Sequence, residues 1–201
     1  MKLLVDSDLF CKLGIANLLL PALSLLQSSL SECGRLPALP YMLRRGSLPK
    51  LYGAPACDAL IGTANAMSVI PEPDITWLEK LTPLDAVDPG EAQLFAVASD
   101  LGLPVLSGDK RSLQAIKAIN ELVPVLRERV IVLEAILLAL CDALGHSDVR
   151  NRIAPLVAVD RMIQVCFSDG NPDPRQGLLS YYQDLQREVA PLILWNPRAQ
   201  S

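Results

Sequence analysis

Three carboxylates stand out in this 201-residue chain because of where they fall relative to its apolar runs. Asp6 ends the short apolar run 2–5, Glu91 opens a helical stretch behind the segment 84–87, and Asp109 follows the apolar run 103–106 across Ser107-Gly108. Two carboxylates about 5 Å apart repel by roughly 3 kcal/mol at an effective dielectric of 20. Three such groups brought together therefore need protons or a cation. A donor set made only of carboxylates suits a hard divalent ion, Mg²⁺ or Mn²⁺. The lone histidine, His146, sits in a helix-ending Gly-His-Ser segment and reads as a surface residue. With no second histidine, zinc chemistry and a histidine-based triad have little to build on. Each acid also has a local explanation. Asp6, Ser7 or Asp8 can cap the first helix, Glu91 favours a helix dipole, and Asp109 can cap the helix it precedes. Their joint placement behind successive strands is what raises them above that explanation.

The surrounding pattern is one of alternation. Residues 2–5 form a short buried strand, and 9–30 read as leucine-rich helix broken near Pro21. The stretch 32–52 is rich in Pro, Gly, Arg and Ser, and an edge strand is expected within 36–43 despite Pro37 and Pro40. A helix over 56–67, a strand over 68–70 and a helix over 75–81 follow. Asp88 is a good N-cap, Pro89 suits the first helical position, and Gly102 stops the helix that begins there. Residues 103–106 form a strand, 109–122 a helix, 130–133 a strand and 134–144 a helix. This order predicts an α/β fold of three α/β/α layers around a central, mostly parallel sheet. Functional groups in such a sheet collect at the carboxyl ends of its strands, where the three acids fall. Beyond residue 145 only helices are expected, over 149–167 and 178–193, joined by the loop 168–174. Residues 1–133 thus read as an α/β domain and 134–201 as a helical extension packed on the same core.

Composition narrows the classes further. The chain is 51% apolar but only 4% aromatic, so its core must be aliphatic. A net charge of −4 argues against nonspecific grip on nucleic acid through a broad basic face, though not against a basic rim. Five cysteines without a C-x-x-C pair point to reduced, buried thiols and a cytoplasmic location. Asp6 and Asp8 interrupt any signal-peptide core. The apolar run 13–26 carries Asn17 and Pro21 and is shorter than the ~20 residues of a membrane span, so no membrane is expected.

The opening Leu3-Leu4-Val5-Asp6-Ser7-Asp8-Leu9-Phe10 resembles that of PIN domains: an apolar strand, an acid, a hydroxyl residue, then Asp or Asn. The block from Asp88-Pro89-Gly90-Glu91 through Ser107-Gly108-Asp109-Lys110-Arg111 resembles the family's later half, where an acid opens an alanine-rich helix and a strand delivers another acid. The likeness covers residues 1–133. It implies a three-layer α/β/α domain and an endoribonuclease dependent on Mg²⁺ or Mn²⁺, with Asp6, Glu91 and Asp109 as catalytic metal ligands and Ser7 and Asp8 as supports. Lys110, Arg111 and Arg44 become candidates to hold the RNA backbone. A protein antitoxin, as in toxin–antitoxin pairs, or a second copy of the chain is a candidate partner. One position departs from the pattern: the family's second acid, after the second strand, has no counterpart in 41–50, and Glu32 and Asp58 are poor substitutes. That departure keeps open a PIN-like scaffold without catalysis. A haloacid-dehalogenase-like phosphatase also begins with a strand and Asp-x-Asp, but Leu9-Phe10 and Lys110-Arg111 fit its motifs poorly.

Overall fold

The computed structural model describes residues 1–168 and 170–197. The chain folds as β1 (Leu3–Val5), α1 (Ser7–Ile15), α2 (Leu19–Leu25), β2 (Cys33–Arg35), α3 (Leu39–Arg44), α4 (Ser47–Tyr52), α5 (Ala54–Asn65) and β3 (Ser68–Val69). It continues through α6 (Ile75–Leu81), α7 (Pro89–Leu101), β4 (Val105–Leu106), α8 (Lys110–Ile116), α9 (Leu122–Val125) and β5 (Val130–Ile131). The remaining helices are α10 (Leu133–Leu144), α11 (His146–Ile153), α12 (Arg161–Cys166) and α13 (Pro174–Val189). Among the described residues the strands form one five-stranded sheet in the order β3-β2-β1-β4-β5, with every neighbouring pair parallel. The protein is an α/β fold.

Topology fixes the layers. The path β1–β2–β3 steps one way across the sheet, whereas β3–β4 and β4–β5 step the other way. Right-handed crossovers in opposite directions put their helices on opposite faces. The packing follows suit, with α1, α3 and α4 against α5 and α6 against α7. The strands are buried because helices cover both faces, which is why Leu3, Leu4, Val5, Val105 and Leu106 are all apolar rather than alternating. One continuous hydrophobic cluster runs from Leu3 to Trp195, and α10 packs against both α2 and α13 within it.

Several expected elements shift. The second strand is Cys33–Arg35, and the segment expected as an edge strand is instead α3, with Pro40 in its first turn. Proline there lacks only an N–H that a helix start would leave unpaired anyway. The break expected near Pro21 in the helical stretch 9–30 falls earlier, between α1 and α2, which are bent by 111°, and Pro21 lies in the first turn of α2. Residues 149–167 are not one helix: α11 ends at Ile153, a 3₁₀ turn holds Ala154–Leu156, and α12 starts at Arg161. The helix after Asp109 ends at Ile116, not 122. His146 begins α11 rather than ending a helix. Asp169 of the expected loop 168–174 lies outside the described residues. Among the described residues no single helix is long and apolar enough to cross a membrane.

Candidate functional site

The carboxyl edge of the sheet positions the acids. Val5 pairs with Leu106, and the Asp6 amide donates to the Leu106 carbonyl at 2.9 Å. Asp6 and Asp109 therefore leave adjacent central strands just beyond a paired position. β1 and β4 are also the strands from which the chain departs in opposite directions, the switch point where open α/β sheets form a crevice. A cavity of about 990 Å³ lies there, lined by Asp6, Asp8, Asp88, Glu91 and Asp109 on its acidic side and by Lys110 and Arg111. Leu36, Met42, Leu48 and Leu51 supply apolar wall.

Local helix chemistry aims each acid. Asp6 caps α1, its Oδ2 accepting the Asp8 amide at 3.1 Å. Asp88 caps α7 through Gly90 N at 2.7 Å and Glu91 N at 2.8 Å. Glu91 returns Oε2 to the Asp88 amide at 3.0 Å, closing a capping box. Its other oxygen, Oε1, accepts from Ser112 Oγ of α8 at 2.8 Å. Asp109 caps α8, accepting Arg111 N at 2.8 Å, and its Oδ2 lies 3.4 Å from Arg111 Nη2. Gly108 allows this approach, since a Cβ there would stand 2.8 Å from Leu9 Cδ1.

Capping alone does not explain Asp6. A carboxylate that accepts backbone N–H bonds is held acidic. Asp173, the cap of α13, behaves so: the Arg175 guanidinium and amide draw it down to about 2. Asp6 moves the other way, raised to about 6 by burial and by the nearby charges of Asp8 and Asp88. Glu91 is buried and raised to about 7, first by that burial and then by Asp109 and Asp88, against the two hydrogen bonds that favour its charge. Neither acid has a cationic partner among the described residues.

Of the supporting residues, Ser7 is buried with its Oγ 3.9 Å from Met42 Sδ. Asp8 lines the same cavity but has partners of its own: the Tyr52 hydroxyl donates to its Oδ1, and Lys12 Nζ lies 2.8 Å from its Oδ2. Lys12 also reaches Asp160 at 2.7 Å. Lys110 and Arg111 line the cavity, whereas Arg44 is exposed at the end of α3 and does not. No acid occupies the start of α3, whose approach is Leu36-Pro37-Ala38. Glu32 is tied to Lys2 at 2.7 Å before β2, and Asp58 is exposed on α5. The fourth acid at the cavity besides Asp8 is Asp88, read from sequence only as a cap. The Asp88-x-x-Glu91 spacing was the signal that ties the two together.

Among the described residues no three His, Cys, Asp or Glu side chains are arranged to hold a metal ion jointly. The expected three-ligand convergence of Asp6, Glu91 and Asp109 is thus a shared cavity rather than a preformed cage. Carboxylate oxygens with raised pKa values still suit Mg²⁺, which keeps several waters and binds through one or two carboxylates plus substrate phosphate. No family model matches this chain, and neither curated proteins nor solved structures give a match.

Proposed function

We propose that the chain is a Mg²⁺- or Mn²⁺-dependent endoribonuclease of PIN type, working in the reducing cytoplasm. The observation that supports this most is the pair Asp6 and Glu91, held above the ordinary carboxylate range at the switch-point cavity by burial and like charge. Such a pair gains most from a divalent cation, because the cation removes the repulsion that raises both groups. Asp6, Glu91 and Asp109 would hold it, and when bound it would lower the pKa of a water and offset charge developing on the phosphate. Asp88 and Ser112 orient Glu91, and Asp8, which also lines the cavity, is held by Tyr52 and Lys12, which leaves Asp6, the cap of α1, as the acid there without a cationic partner. Arg111, exposed at the rim, is positioned to meet the backbone phosphate of a strand. Attack of water forms a new P–O bond, breaks the P–O bond to the departing ribose oxygen, and returns the proton to that oxygen. Incubation of single-stranded RNA with the protein and Mn²⁺ tests this. Asp6→Asn and Asp109→Asn should each abolish cleavage while still unfolding cooperatively in urea; cleavage at the parent rate would overturn the assignment.

A scaffold without catalysis is the second reading, favoured by the acid-free approach to α3. It expects neither cleavage nor any effect of Mg²⁺ or Mn²⁺ on melting.

A further inference from the structure

A second cavity, of about 480 Å³, adjoins the first through two shared residues, Gly108 and Lys110. Its charge balance is the reverse of its neighbour's. Five acids face two cations in the first cavity, whereas Lys12, Lys110 and Arg161 face only Glu134 and Asp160 in the second. Most of these charges are already matched. Lys12 lies between Asp8 and Asp160, and Lys110 Nζ is 3.4 Å from the buried Glu134 carboxylate and 5.3 Å from the Tyr181 ring centroid. Arg161, exposed at the start of α12, has no ion pair or hydrogen bond from its guanidinium among the described residues. The wall that carries Asp160, Arg161, Met162 and Tyr181 belongs entirely to the C-terminal helices.

We infer that the C-terminal helices build a second subsite, in which Arg161 takes the backbone phosphate of a nucleotide flanking the one held at the acidic cavity. This rests on reading the acidic cavity as a phosphodiester site. An uncommitted guanidinium is suited to phosphate, since its planar fork can donate two hydrogen bonds to one group. Lys110, at the boundary, keeps its ammonium between the buried Glu134 carboxylate and the Tyr181 ring, which leaves Arg161 as the uncommitted cation of the second cavity. A strand crossing from one cavity to the other meets the acids where a cation is wanted and the basic balance where phosphate is wanted. The geometry also gives the C-terminal helices a role in substrate length rather than in chemistry.

The test measures binding without turnover. Fluorescein-labelled single-stranded oligoribonucleotides of two and six nucleotides are titrated with the whole protein in EDTA, by anisotropy, at several salt concentrations. The six-mer should bind more tightly than the two-mer. Arg161→Ala should weaken the six-mer about fivefold, leave the two-mer unchanged, and lower the slope of log affinity against log salt by about 0.7, the value for one phosphate contact on a single strand. Arg161→Lys should restore most of the loss. Equal loss for both lengths, an unchanged salt slope, no six-mer binding, or equal competition by an acidic peptide of the same charge would each overturn the subsite. Because metal and hydrolysis are absent, this outcome is separate from that of the Asp6→Asn cleavage assay. Cleavage that survives Asp6→Asn would remove the first reading, whatever the anisotropy shows.

Discussion

The two cavities on either side of Gly108 and Lys110 use the same kinds of residue to opposite effect. In the second, acids and bases are paired at short range: Lys12 with Asp8 and Asp160, Lys110 with Glu134. In the first, Asp6 and Glu91 have no cationic partner among the described residues, and each is held above the ordinary carboxylate range. Paired charges in a half-buried setting stabilise a fold; unpaired buried acids do not. The difference is that the first cavity holds buried acids at a cost in stability, and the proposed cation would offset that cost. The same contrast holds between two helix caps, Asp6 and Asp173, of which only the second behaves as a cap should.

The contrast breaks first at activity. Asp6→Asn keeps the α1 cap but removes the charge, and RNA cleavage in Mn²⁺ should fall by ~10²-fold or more if that carboxylate carries the ion. Gel analysis of labelled RNA reads this directly. The next largest effect is on the pH dependence of folding. Folded-state pKa values of about 6 for Asp6 and about 7 for Glu91 lie above the unfolded values, so the unfolded chain loses its protons first as pH rises. In EDTA, stability should therefore be greatest near pH 4 on account of these groups and fall as pH rises toward 7, by roughly 3 kcal/mol per acid at ~1.4 kcal/mol per pH unit. Urea denaturation across that range checks the sign, and Asp6→Asn should flatten its share of the slope.

The second cavity should respond the other way. Lys12→Ala leaves Asp8 and Asp160 without their shared cation, at a cost of about 2 kcal/mol for a pair between buried and exposed. The urea midpoint reports it. The smallest effect concerns Ser107, whose buried Oγ has no partner among the described residues. Ser107→Ala should raise stability by up to about 1 kcal/mol, because removing an unsatisfied hydroxyl relieves its desolvation.

How much of this could be read in advance varied with how local the signal was. The helix from Pro89 to Leu101 was legible because its cap, its first-turn proline and acid, and its terminal Gly102 at φ 63° all act within a few residues. α6 was legible to its ends as well, with Asp74 directly before it as its cap. β2 was missed because Cys33-Gly34-Arg35 has no apolar pattern. Arg35 is buried there only because the Ala64, Leu36 and Pro37 carbonyls accept its N–H groups at 2.6, 3.0 and 3.4 Å. Those partners are set by tertiary packing. The acids of the site were found since each sits at a strand end or a helix start. Their engagement by Ser112, Tyr52 and Lys12 was not, although the i, i+4 spacing of Asp8 and Lys12 was a usable clue. Arg161 and Tyr181 reach the site region from far along the chain, and no periodicity could have announced a cavity assembled across such separations.

An acidic cavity short of positive charge should take up a divalent ion and be stabilised by it. Thermal unfolding of the whole protein at pH 7, with and without millimolar Mn²⁺, measures it most directly. The wild type should melt roughly 5 °C higher with the ion, and Asp6→Asn should lose most of that gain. A melting temperature unmoved by Mn²⁺, or moved equally in both proteins, would contradict it.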